Sequence, residues 1–119
     1  MRRLTVERSL YGQALRAEVT LLDEGVHVLF TGGVRSHVGA VSIYEGGHVL
    51  SHVQRLSHRD GEISRRWAEK LSKQWRCCVT VACGVHYDGV NMDEILEILA
   101  QSEDMLAQVL REEREKNEL

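Results

Sequence analysis

No proline occurs anywhere in this chain of 119 residues. Chain reversals therefore fall to Gly, Asn and Asp, and ten glycines are available for them. Only six residues are aromatic, too few for a base-stacking platform on single-stranded nucleic acid. The three cysteines are an odd number, and Cys77 and Cys78 are adjacent. Neighbours on a strand point to opposite faces, so these two are not expected to bond each other. Nor is Cys-Cys-x4-Cys a zinc spacing. The cysteines read as small core residues in a reducing compartment, which points to the cytoplasm. No apolar run approaches the roughly 18 residues needed to span a membrane. The start, Met1-Arg2-Arg3-Leu4-Thr5-Val6, is basic but is not followed by an apolar segment, so no signal peptide is expected.

What remains is the composition of an ordinary globular chain. The hydrophobic fraction of 43% is high enough to bury a core, and the length suits one domain over residues 1–119. Net charge is −3 but is unevenly spread. Residues 1–53 balance to zero, residues 54–86 carry +4 and residues 87–119 carry −7. A local +4 can attract an anion but is weak as a nucleic-acid footprint. Six histidines are the groups whose ordinary pKa lies between pH 5 and 8.

The first half has the period of strands. Leu4 and Val6 start one, and Tyr11-Gly12-Gln13 turns it. Leu15, Ala17, Val19 and Leu21 alternate with polar residues, as do Val26, Val28 and Phe30. A glycine-bearing loop is expected over 31–37, then strands over 38–44 and 48–54. Ile63, Trp67, Leu71 and Trp75 recur every four residues and predict a helix over about 61–76. Cys77–Cys83 reads as a sixth strand and Gly84–Val90 as a loop. Asn91 with Glu94 three positions later forms a capping-box pattern. The helix it opens shows Met92, Ile95, Leu96, Leu99, Leu106, Val109 and Leu110 on one broad face, widened by Ile98 and Met105. The polar tail 111–119 is expected to fray. The order β-β-β-β-β-α-β-α implies an α+β fold, with a single mixed, mostly antiparallel sheet and two helices packed on one face. Cys78, Thr80, Ala82 and Gly84 would make a small-residue surface on strand six, suited to a partner subunit or a ligand. A bare second sheet face favours a homodimer.

Strand direction then gathers the unusual loops. If consecutive strands are hairpins, and the strand after the helix runs parallel to the one before it, four connections share one edge. They carry His37, His58 and His86 with Arg35, Arg55, Arg59, Asp60 and Asp88. Both helices would start there, where unsatisfied N–H groups suit a phosphate. Gly32 and Gly33 permit close approach of backbone to a ligand, although a Gly-Gly pair is more often a plain turn. His27, His48 and His52 fall on the sheet. Imidazoles at 37, 58 and 86 with a carboxylate could hold a divalent metal. No Gly-x-Ser-x-Gly, metalloprotease helix motif or P-loop is present, so the balance is against an enzyme.

Thr31-Gly32-Gly33, His37-Val38-Gly39-Ala40-Val41 and Gly84-Val85-His86-Tyr87-Asp88 ahead of an acidic final helix resemble the prenylated-flavin chaperones. These are the LpdD-like accessory proteins of gallate-type decarboxylases. The similarity runs from about Gln13 to Leu110. It implies a non-enzymatic role: binding prenylated flavin mononucleotide, or FMN, and delivering it to a UbiD-like decarboxylase, with a flavin prenyltransferase as a further partner. Carried over, Gly32, Gly33, Arg35, His37, Gly39, Arg59, His86 and Asp88 would bind the cofactor. His37, His58 and His86 would serve any metal. Two other readings stand beside this one: a small metal-dependent enzyme using those three histidines, and an assembly subunit with no ligand.

Overall fold

The computed structural model describes residues 1–55 and 59–117. Its elements are β1 (Arg2–Leu10), β2 (Gln13–Leu21), β3 (Val26–Gly33), β4 (Ala40–Glu45), β5 (His48–Gln54), α1 (Gly61–Trp75), β6 (Cys78–His86) and α2 (Met92–Asn117). The expected α+β order and the single mixed sheet with two helices are both present. The sheet order is β1-β2-β3-β6-β4-β5. One expectation is corrected here. β3 and β4 are not a hairpin, because β6 lies between them, parallel to β3 and antiparallel to β4. The inserted strand carries Val79, Val81 and Cys83, all fully buried, so the most apolar strand takes a central place. The strand directions deduced from the sequence survive the insertion. β3 and β6 still end at one edge, and β4 still runs away from it.

Two strands are longer than their patterns suggest. β3 runs on through Gly33 and β6 through His86, where the two are paired residue for residue. The glycines of both ends are loop signals by type, yet they sit inside the ladder. Gly33 has φ +88, and a Cβ there would collide with the His86 carbonyl oxygen. Only glycine closes the strand pair at that point.

One apolar core lies between the sheet and the helices. Leu4, Val19, Val28 and Val81 form one row across four strands on the helix side. Trp67 of α1 is fully buried, with its ring edge-on to Phe30 at 5.2 Å and its indole N–H donating to Ser102 Oγ at 2.9 Å. That bond ties α1 to α2 inside the core, where an unpartnered indole would be costly. α1 keeps its predicted stripe: Ile63, Trp67 and Leu71 are buried. α2 opens on the predicted capping box, as Glu94 N–H donates to Asn91 Oδ1 at 2.9 Å and Asn91 N–H to Glu94 Oε1 at 3.1 Å.

The apolar face of α2 is narrower than expected. Ile98, Ser102, Met105, Leu106, Val109 and Glu113 are buried, while Met92 and Leu96 stand 61% and 55% exposed. Only the later turns meet the sheet. Beyond residue 110 the helix continues to Asn117, and the Glu113 carboxylate pairs with Arg2 of β1. Among the described residues no helix is long and apolar enough to cross a membrane.

Candidate functional site

The site is built where α1 begins and β6 ends. Asp60 precedes α1 but does not cap it with its side chain. Its buried carboxylate instead accepts the Val85 N–H at 2.8 Å, and its other oxygen lies 3.4 Å from His37 Nε2. One acid therefore binds the end of β6 and the 34–39 segment to the start of α1. Gly39 is required for this, since a Cβ there would run into the Asp60 carboxylate. The segment is further held by Gly39 N–H donating to Cys83 C=O at 2.8 Å and Val34 N–H to His86 C=O at 2.9 Å.

Beside this clamp a cleft of about 350 Å³ opens between α1, the end of β6 and the first turns of α2. Ile63, Val85, Val90, Ile95, Leu96 and Leu99 give it an apolar wall. Arg59, Asp60, Glu62 and His86 are its charged or titratable members. Tyr87 also lines it. The Tyr87 hydroxyl is shielded from water and has no hydrogen-bond partner among the described residues. Its ring meets that of Tyr11, at the β1–β2 turn, edge-on at 6.0 Å. Burial, then the neighbouring Tyr11, pushes the Tyr87 phenol above its ordinary pKa, so it remains a donor at neutral pH. The Tyr11 contact also places the first hairpin at this edge, as strand direction required.

The predicted site residues divide. Arg59 and His86 line the cleft. His37 and Gly39 belong to the clamp behind it. Gly32 and Gly33 are in the sheet ladder, paired with Val85 and His86. Arg35 is exposed on the connecting segment. His86 Nε2 lies 2.8 Å from Asp88 Oδ1 at the surface. His58 lies outside the described residues. Among those described, no group of three His, Cys, Asp or Glu residues is placed to hold a metal. His37 faces Asp60 and His86 faces Asp88, so the two histidines make separate pairs. Thiol chemistry is also disfavoured at this edge. Burial, and then Asp60, push the Cys83 thiol well above its ordinary pKa, which keeps it protonated and inert.

The start of α2 suits an anion less well than the sequence suggests. The Asn91 side chain already takes the Glu94 N–H of α2, and Asp93 and Glu94 make its opening turn negative. Sequence reasoning missed the cleft's apolar wall, because Met92, Ile95, Leu96 and Leu99 read as core. The signal was available in their position: they begin directly after the 84–90 segment, at the edge where the other site candidates gather.

The model of the prenylated flavin chaperone LpdD-like domain matches residues 10–114, and the chain belongs to that family. Protein LpdD of Lactiplantibacillus plantarum is 23% identical over 104 residues, which cover 83% of this chain and 76% of that protein. Among solved structures, a chain of a chaperone complex for yeast 20S proteasome assembly matches with a TM-score of 0.52 at 13% identity, covering 96% of this chain and 97% of that one. At that identity the likeness is one of fold. Membership of the family supports a chaperone role connected with prenylated flavin.

Proposed function

We propose that this chain holds prenylated flavin mononucleotide, or its FMN precursor, in the cleft beside α2 and passes it to a UbiD-like decarboxylase of the gallate type. The observation that carries this is an apolar-walled cleft with a few charged groups at one side, in a chain of this family. Ligand sites have that composition and run from roughly 300 to 1,000 Å³. The residues present fit the group. Ile63, Val85, Val90 and Leu99 offer an apolar wall to a flat ring system, and the Tyr87 hydroxyl is a donor without a protein partner among the described residues. Arg59 and His86 supply positive charge or N–H donors for a phosphate. Gly32, Gly33, His37 and Gly39 shape the edge behind them, with Arg35 and Asp88 at its margin.

The cofactor brings the decarboxylation chemistry, which is exercised in the recipient enzyme. This chain's task is to bind and shield, and then to release. A flavin prenyltransferase is the supplier in this reading. A homodimer is part of it as well: the face of the sheet away from the helices carries half-buried Leu29, Val41, Ile43 and Ala82 and exposed Val53 in adjoining rows. Titration with FMN and with prenylated FMN, followed by flavin absorbance and calorimetry, tests the reading. Saturable one-to-one binding is expected, weakened by Arg59→Ala and by His86→Ala. Failure of both flavins to bind the native protein overturns it.

A further inference from the structure

The outer lip of the cleft stands largely in solvent. Met92 and Leu96 are 61% and 55% exposed on the first turns of α2, and Tyr11 is 46% exposed on the hairpin beside them. Single exposed apolar residues are ordinary, but three gathered at the mouth of a cleft make a patch. On its α2 side the surroundings carry one sign of charge, while Arg59 and Glu62 line the opposite side of the cleft. Between residues 77 and 110 the chain has six acids and no Lys or Arg. Glu103 and Asp104, further along α2, are paired with Arg66 and Arg8. The acids of the lip are Asp93, Glu94 and Glu97. Glu94 accepts the Asn91 N–H, and Glu97 accepts from the Gln101 amide at 2.9 Å; both are neutral donors that leave the charge in place. The Tyr11 ring meets that of Tyr87, which lines the cleft with Met92 and Leu96, so it stands at the same mouth; burial first, and then these three carboxylates, raise its phenol pKa.

We infer that this lip, with Met92, Leu96 and Tyr11 at its centre and Asp93, Glu94 and Glu97 around it, is the surface that docks the recipient protein, and that the recipient presents an apolar patch rimmed by Lys and Arg. The inference rests on the proposed flavin cleft and adds the direction of transfer. Like charge along one side of an apolar centre is unfavourable alone and favourable against an opposite rim, and it steers encounter. A recipient seated there faces the open mouth of the cleft, so the ligand moves between two apolar walls with little exposure to water. A lipid surface is the poorer partner, since anionic headgroups would be repelled.

The test uses the native chain loaded with prenylated FMN and a purified cofactor-free UbiD-like decarboxylase. Association is measured by light scattering or biolayer interferometry at low and high salt, and transfer by the decarboxylase's gain of flavin absorbance. Asp93→Lys with Glu97→Lys should weaken association roughly tenfold at low salt and abolish most of its salt dependence. Neither residue lines the cleft, so flavin affinity should be unchanged. A Glu97→Gln variant keeps the helix start intact and should give a smaller loss in the same direction. Loss of association with retained flavin binding supports the docking lip. Wild-type flavin binding with no association, or with association indifferent to both variants, overturns the lip alone. No flavin binding by the wild type overturns the cleft instead.

Discussion

The two ends of α2 have the same apolar spacing and opposite fates. Of the later apolar side chains Ile98, Met105, Leu106 and Val109 are buried, with Leu106 2% and Met105 and Val109 0% exposed. Met92 and Leu96 overhang a cleft and remain largely in solvent, with Ile95 half-buried between them. The later turns pack on β1 and hold Trp67 through Ser102. The early turns are held by a capping box and little else. A helical stripe thus identifies surface that wants an apolar neighbour. It does not say whether that neighbour is the chain's own sheet or something brought to it.

That contrast can be broken most severely at its buried end. Leu106→Ala should lower stability by about 2–5 kcal/mol, the range for a large core residue truncated to alanine, read from the denaturant midpoint. Ser102→Ala comes next. It leaves the buried Trp67 N–H without its acceptor, at a cost of about 1–3 kcal/mol, with Trp fluorescence reporting the loosened junction. Leu96→Ala should change stability by no more than about 0.5 kcal/mol, as exposed positions do, yet weaken flavin binding in the same titration. An equal stability loss at 96 and 106 would erase the distinction between the two ends.

The smallest effect concerns α1, the helix packed over its whole length. His52 of β5 accepts from or donates to Ser42 Oγ at 2.7 Å, and Ser42 meets Ser64 Oγ of α1 at 2.8 Å. Burial, then Arg65, lowers the His52 pKa below its ordinary 6.5. The folded state therefore holds the neutral ring at pH values where the unfolded chain already binds a proton. This contribution is fully present above about pH 6.5 and is lost as pH falls through the lowered folded value. Denaturation midpoints should decline modestly from pH 7.5 to 5.5, and His52→Gln should flatten that slope. A slope unchanged in the variant would assign the decline to other groups.

Much of the fold was legible because it is local. The α1 stripe, the period-2 strands and the Asn91–Glu94 box each depend on residues a few positions apart. The place of β6 was not legible, since alternation says which face a strand buries and nothing about which strands lie beside it. Glycines misled for a related reason. Gly32 and Gly33 suggest a loop, but tight packing against Leu15 and His86 is what calls for them. At the site, the common edge for His37, Arg59, Asp60, His86 and Tyr11 followed from strand direction. The pairings that divide the histidines depend on side chains from distant segments, and the apolar wall was hidden within a pattern that also describes core.

The inserted strand also sets an order of assembly. β1, β2 and β3 form a meander of neighbours in sequence, and β4 with β5 forms a hairpin. Nothing in the sheet joins these two pieces except β6, which follows both in the chain. A growing polypeptide released from the ribosome as far as residue 75 would carry two separate sheet fragments, each with an unpaired edge of the kind that pairs with other chains. The strand that ends at the cleft is therefore also the one that turns two fragments into a single sheet, so the site takes shape in the same step as the whole fold.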